Sequence, residues 1–562
     1  MNIKRFLLSF PSFIIVVVSF LQSCNNSKQS PERDIAHSPQ ELKEKAINHI
    51  EKLLNKADDN NGKIDDSMVL QQLKPVQLIY KQTGNNTTWS KGEQWLPLGD
   101  SLLDLIENAK LYGLFPEDYH NEQLSSIRKR FAKDASAESD RKDASLWARA
   151  DVMLSDAFVQ IIKDIKLGRL PHDSIYLRKD STLNDDGCLQ QWNILQQTGS
   201  LSQVIRVLEP RQEGYRLLKG GIKNFLDSFD HRLYTYVPSP SKDRAKYKQA
   251  LQKRLYEGGF IKTDSIAADS VQLSEALKKF QQQKGLEVDG KIGNETLRVL
   301  NTSDSERFIH IAITMDRYKT LPEKMPDKFL WVNLPAFTLQ LWEYDSIKML
   351  SKIVCGKPAT RSPVLTSAIA ELITYPKWSI PASIIEKEVL PGLKKNSHYT
   401  IKKGFTIFDS KGNEVNPDSV NWSKYKKAIP YHVVQGSGDA NALGVLKFNF
   451  SNKYAVYLHD TNERFLFGRS ERDLSHGCIR VQQWRQLADY VINNDTPEDI
   501  TERLDSLQTW LKNKEKHSLS IKNKLPLFIR YFTCEGKDGR IIFYDDIYGE
   551  DQDLAERYFS RK

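Results

Sequence analysis

Cysteine is scarce in this chain and poorly placed for crosslinking. Its 562 residues hold five, Cys24, Cys188, Cys355, Cys478 and Cys534, and no two form a C-x-x-C pair. That argues against a disulfide framework and a structural zinc site. Charge of one sign is lacking too: 81 basic against 72 acidic residues leave +9. Such a mixed surface lacks the density of a nucleic-acid groove, so no nucleic-acid partner is expected, although mild attraction to an anionic polymer fits. With 40% hydrophobic and 27% charged residues, the composition indicates neither a disordered chain nor a multi-span membrane protein. Ser126–Lys129 and Ser423–Lys426 spell S-x-x-K, but there is no Lys-Thr-Gly partner, which removes serine penicilloyl chemistry.

What is present begins at the N-terminus. Lys4 and Arg5 precede an apolar run from Phe6 to Leu21, a secretory signal by pattern and short for a stable membrane span. Leu21-Gln22-Ser23-Cys24 resembles the lipobox of bacterial lipoproteins, with Gln22 where a small residue is usual. The resemblance implies removal of residues 1–23, acylation of Cys24, export to the periplasm and lipid anchoring in the cell envelope. Residues 24–40 then read as a tether.

The length suggests three or four modules. Residues 41–244 are expected to form a mainly helical scaffold, with apolar residues at helical spacing in Ser101–Lys110 and Asp151–Ile165. Pro238-Ser-Pro-Ser-Lys242 reads as a linker. Residues 245–302 form a compact unit: Leu277 and Phe280 share a helix face, Asp289-Gly290 makes a turn, and Asn294 is placed to cap a last helix. Phe280-Gln281, Gly285-Leu286, Val288-Asp289-Gly290, Ile292-Gly293 and Thr296 resemble the three-helix peptidoglycan-binding domain of cell-wall hydrolases.

Beyond about residue 328 the periodicity becomes that of strands, as in Phe329–Pro335, Thr338–Glu343, Leu446–Phe450 and Tyr454–His459. Residues 328–510 are expected to be a mainly β catalytic domain, interrupted by a cap at about 383–430. The cap carries nine Lys against five acidic residues, read first as a solvated face, although a basic lid would favour carboxylate substrates. Residues 511–562 are expected to be a C-terminal extension packing on that domain, with a hairpin of Leu527–Thr533 and Arg540–Tyr544.

The chemistry concentrates in Tyr457-Leu458-His459-Asp460-Thr461 and Ser475-His476-Gly477-Cys478-Ile479-Arg480. In extended backbone Tyr457 and His459 share one face, and His476, Cys478 and Arg480 another. A thiol of pKa ~8.5 is little ionised at neutral pH, and a nearby imidazole or cation raises its thiolate fraction. His459 is the candidate base, with the Asp460 carbonyl as acceptor for its other ring nitrogen. Backbone N–H groups around Gly477 and Cys478 are placed for an oxyanion, worth ~3 kcal/mol per donor. A zinc site of His459, His476 and Cys478 is set aside because no further ligand cluster or metal-activating Glu accompanies it; no metal or cofactor is expected. Trp378 stands just before the cap, as a cleft wall or a core residue. Cys188, Cys355 and Cys534 read as buried small hydrophobes.

The two segments, separated by fifteen residues (460–474), resemble the motif of YkuD-type L,D-transpeptidases. Gly356-Lys357-Pro358, Pro376–Pro381, Asn441-Ala-Leu-Gly444, Lys447-Phe448 and Asp545–Gly549 resemble its large multidomain branch. Asn462, and Gln435-Gly-Ser-Gly438, depart from the branch's proline-containing loops. The resemblance implies an α+β multidomain chain in which Cys478 is acylated and His459 is its base. It also implies that His476, Gly477 and Arg480, with Tyr457, Ser475 and Asp460, shape the substrate and oxyanion sites. Implied partners are peptidoglycan stem peptides, a membrane through Cys24, and carbapenem-type β-lactams as inhibitors. The implied reaction is 3→3 crosslinking with release of D-alanine. Water or a D-amino acid as acceptor would instead give L,D-carboxypeptidase or exchange activity. A non-catalytic wall-binding lipoprotein relying on residues 246–301 is the reading from a different class.

Overall fold

The computed structural model describes residues 33–132, 138–171, 182–239, 244–262, 270–284, 286–495 and 497–559. The expected signal peptide and Cys24 lie outside them. The scaffold is organised around the helix Ala144–Leu167, which is buried on nearly every side. Helices Pro39–Asp59, Leu73–Thr83, Pro97–Glu107 and Leu201–Leu208 supply much of that cover. Its buried Asp151 is satisfied, accepting the Tyr80 hydroxyl at 2.7 Å and the Trp89 N–H at 2.9 Å. The tether expectation needs correction at its end. Ala36 is buried, the Lys45 ammonium donates to the Ile35 carbonyl at 2.8 Å, and Ser38 caps a helix that starts at Pro39. Proline at the first helical position lacks only an N–H that would have no intrahelical partner.

Helices Arg244–Glu257, Ser270–Lys284 and Asn294–Asn301 form the small unit around Leu277, Phe280 and Leu300. Gln281 is buried; it accepts the Gly290 N–H at 2.8 Å and donates to the Lys291 carbonyl at 2.9 Å. Its motif residues thus hold the turn, where Gly290 has φ +68°. Asn294 is not the cap expected of it. It is the first helical residue, and its amide donates to Glu471 of the catalytic domain at 3.1 Å. The following helix, Asp304–Lys319, starts in a Ser303/Glu306 capping box and returns the chain to the scaffold.

The catalytic domain is a barrel. Strand Ser346–Gly356 pairs with Ile479–Val481, and the order continues through Leu458–His459, Leu446–Phe450, Leu365–Thr374, Ser518–Arg530, Lys328–Asn333 and Thr338–Glu343. Thr338–Glu343 pairs again with Ser346–Gly356, which closes the ring. Asp473–Ser475 adds in parallel beside Cys355 and Gly356. The C-terminal extension is therefore corrected. Ser518–Arg530 is a barrel strand, parallel to Lys328–Asn333 and antiparallel to Leu365–Thr374, and the hairpin is Cys534–Lys537 with Arg540–Phe543. Alternation shows why: Leu330, Val332, Leu527 and Ile529 enter the barrel core, while Phe329, Trp331 and Phe528 pack outward with Tyr215, Leu218 and Tyr318 of the scaffold side. Both faces of these strands are covered, so they read as continuous apolar runs.

The cap is slightly wider than expected. Its three-stranded sheet, Phe405–Phe408, His432–Gln435 and Trp378–Ser379, encloses a separate core with Ile384, Val389 and Trp422. All nine cap lysines are exposed.

Candidate active site

The backbone from Ser475 to Cys478 forms a tightly held turn. Gly477 has φ +119°, a conformation that side-chain-bearing residues rarely adopt. The Ser475 hydroxyl donates to the Cys478 carbonyl at 2.6 Å and accepts the Gly477 N–H at 3.1 Å. The Gly477 carbonyl accepts from the Ser362 hydroxyl at 2.7 Å, which itself accepts the Gly356 N–H at 2.9 Å. The Ser475 carbonyl accepts from the Lys357 N–H at 2.9 Å and the Thr360 hydroxyl at 3.1 Å. Tyr548, from the C-terminal segment, donates to the Gly356 carbonyl at 2.7 Å and accepts the Ser362 N–H at 3.2 Å. Two expectations change as a result. Ser475 serves the turn rather than facing a substrate, and the Gly477 N–H is already engaged.

Cys478 is half-buried at the end of this turn, whereas Cys188, Cys355 and Cys534 are buried. Burial pushes its thiol above the ordinary value, while hydrogen bonds from the Tyr457 N–H and hydroxyl oppose that, as do the charges of Lys447 and Arg480. Lys447 Nζ lies 3.9 Å from the Tyr457 ring centroid. Burial lowers its own pKa, and Cys478 is the largest group acting the other way. The Tyr457 hydroxyl is also hydrogen-bonded to Trp378. Trp378 thus joins the cap to Cys478 through Tyr457 while packing edge-on to Phe405.

Sequence reasoning passed over Lys447 as a site residue. The available signal was alternation: Leu446, Phe448 and Phe450 are buried, so Lys447 faces the other way, in register with His459.

His459 lies on the strand paired in parallel with Ile479–Val481, opposite Arg480. Its Nδ1 is hydrogen-bonded to the Asp460 carbonyl. A carbonyl only accepts, so the neutral ring carries its proton on Nδ1 and leaves a lone pair on Nε2. Burial, then the Arg480 charge, pushes its pKa down to about 3. At neutral pH His459 is an uncharged imidazole, able to take a proton but carrying no cation to pair with a resting thiolate.

The other expected residues are placed as follows. His476 is exposed, its Nε2 2.5 Å from Glu388 of the cap. Arg480 donates to Glu463 at 2.7 Å. Asp460 is buried, and its carboxylate accepts the Val445 N–H at 3.0 Å and Arg464 Nη2 at 2.8 Å. It therefore holds the Gly444–Val445 turn beside His459 rather than facing a substrate. Gly444 has φ +62°, and a Cβ there would lie 2.3 Å from Asp460 Oδ2.

Comparison with known proteins agrees with this architecture. Residues 327–500 match the L,D-transpeptidase catalytic domain family, 244–300 a putative peptidoglycan binding domain, and 74–221 a scaffold domain. A putative L,D-transpeptidase of Haemophilus influenzae is 32% identical over 244 residues, covering 43% of this chain and 48% of that protein. The match thus spans about half the relative's length. A solved structure of the Ldtfm-avibactam carbamoyl enzyme aligns over 48% of this chain and 83% of its own, at 10% identity and a TM-score of 0.15.

Proposed function

We propose, from the premise that this chain carries a YkuD-type L,D-transpeptidase catalytic domain with an associated peptidoglycan-binding domain, that Cys478 forms thioesters with peptidoglycan stem peptides. The observation that carries the reading is the half-buried Cys478 thiol on a constrained turn, hydrogen-bonded by Tyr457 and within the field of Lys447 and Arg480. In the first half-reaction the sulfur attacks the carbonyl carbon of the third residue of a tetrapeptide stem. The C–S bond forms, the C–N bond breaks, and D-alanine leaves with the thiol's proton delivered by His459. In the second, the side-chain amine of a neighbouring stem attacks the thioester, the new C–N bond forms, the C–S bond breaks, and the amine's proton passes through His459 to the sulfur, which restores the thiol. The product is a 3→3 crosslink. The Cys478 N–H donates to the oxyanion, since the Gly477 N–H is engaged by Ser475.

Export by residues 1–23 and lipidation at Cys24 belong to the same proposal, as does acylation of Cys478 by carbapenems. No helix among the described residues is long and apolar enough to cross a membrane.

The test is intact mass after incubation with a tetrapeptide donor. The wild-type chain should gain the acyl group and release D-alanine, and Cys478→Ala should do neither. Retained crosslinking of muropeptides by Cys478→Ala would overturn the reading. Withholding the amine acceptor then tells transpeptidation from hydrolysis, because only hydrolysis continues.

A further inference from the structure

A cavity of about 80 Å³ lies where the peptidoglycan-binding unit meets the start of the helix Asp304–Lys319 and the segment around Asp230. Its cations outnumber its carboxylates. Asp230 is bound by Arg232 at 2.8 Å, and Asp304 by Arg307 at 3.2 Å and by the Asp230 N–H at 3.0 Å. Arg254 and Lys284 remain without an ion pair among the described residues. Arg254 is only 5% exposed; its guanidinium sits 3.6 Å from the Tyr234 ring centroid and donates one Nε–H to the Leu300 carbonyl at 2.8 Å. Lys284 is open to solvent at the edge of the cavity. Burial holds the Arg254 and Arg307 guanidiniums below their ordinary pKa values; at Arg254 the charges of Tyr234, Glu257 and Asp230 oppose this, and repulsion from Arg307 adds to it. A buried cation with no carboxylate in contact is costly, and an anion reaching Arg254 from outside lowers that cost. The remaining wall is apolar, with Phe260 edge-on to Phe280 at 5.4 Å and Val299 beside them.

We propose that this cavity captures the free C-terminal carboxylate of a peptide ending in a small apolar residue, with Arg254 and Lys284 holding the carboxylate and Phe260, Phe280 and Val299 receiving the side chain. The volume suits a carboxylate with a methyl-sized substituent. That the peptide is a cell-wall stem rests on the function proposed above; the capture of a carboxylate does not.

The test is calorimetric titration of the full chain carrying Cys478→Ala, so that no turnover contributes. The probes are an acetylated dipeptide ending in D-alanine, the same dipeptide amidated at its C-terminus, and inorganic phosphate. The acid should bind and the amide should bind at least about tenfold more weakly, because a charge-assisted contact is lost. Lys284→Glu should weaken the acid by a similar factor and Lys284→Arg should retain it; Lys284 is exposed, so neither change disturbs a core. Equal binding of acid and amide, or unchanged binding by Lys284→Glu, would overturn the site. Binding of phosphate but not of the acid would overturn the peptide assignment. None of these readouts depends on Cys478, so failure of the thioester chemistry would be seen separately.

Discussion

Cys478 and His459 are placed so that neither is charged at rest. Burial raises the thiol's pKa, and burial with Arg480 lowers the imidazole's to about 3. Acylation should therefore rise with pH towards ionisation of the thiol, with no inflection near the ordinary histidine value of 6.5. Single-turnover acylation followed across pH reads this directly; an acid limb centred near 6.5 that disappears in His459→Gln would contradict it. The cation nearest the task of raising the thiolate fraction is Lys447, facing Cys478 across Tyr457. Lys447→Met should slow acylation at neutral pH by about tenfold, the effect of roughly one pKa unit on the thiolate fraction. Lys447→Arg should recover part of the rate and raised pH most of it. The same burial couples His459 to stability. The unfolded chain binds a proton at this ring below about 6.5, whereas the folded chain does so only near 3. Stability contributed by the neutral ring is thus complete above 6.5 and is lost as pH falls toward 3, at roughly 1.4 kcal/mol per pH unit. Denaturant titrations should show a shallower acid-side slope for His459→Gln than for wild type.

The turn that presents Cys478 depends on another loop, because Ser362 holds the Gly477 carbonyl and Tyr548 holds Ser362 and Gly356. Ser362→Ala leaves two buried backbone groups short of a partner, each costing about 1–3 kcal/mol. It should lower kcat of a soluble donor more than it raises KM, and Tyr548→Phe should do so more mildly; unchanged kinetics in both would show the clamp to be dispensable. Much of this element was legible in sequence. His459-Asp460 and Ser475–Cys478 with Arg480 announce themselves by residue type and spacing, and Gly477 by the turn it permits. The clamp was not legible, since Ser362 and Tyr548 are 115 and 186 positions from Gly477 and Ser362 respectively and carry no local signal. The same limit hid the helix Asp304–Lys319, whose capping box was readable but whose wide burial weakens a one-sided apolar stripe. Asn294 shows the opposite failure. A capping residue type stood at the right place, yet Gly293 took the cap and left the amide to Glu471.

Barrel closure makes the distant C-terminus a condition for the catalytic domain, which a sequential division at residue 510 concealed. Ser518–Arg530 lies between Leu365–Thr374 and Lys328–Asn333, so its removal opens the sheet along both edges and uncovers the core. Leu525, Leu527, Phe528 and Ile529 are each nearly fully buried, and at about 1.5–3 kcal/mol apiece their loss amounts to about 6–12 kcal/mol. That equals most of the about 5–15 kcal/mol by which a domain is stable. A chain ended after His517 should therefore lack a cooperatively folded catalytic domain: near-UV circular dichroism should be lost and Cys478 should react with thiol reagents as it does in denaturant. A chain ended after Arg530 keeps the strand but loses Tyr548 and the hairpin Cys534–Lys537/Arg540–Phe543. Gly536 of that hairpin lies against the helix Glu213–Asp227, where a Cβ would stand 2.1 Å from the Leu217 carbonyl carbon. That shorter chain should keep near-UV ellipticity, melt lower because the scaffold contact is gone, and acylate slowly for want of the clamp. If the chain ended at His517 retained native ellipticity and acylation, the strand would be an appendage after all, and the closed barrel would not be what holds Cys478 in place.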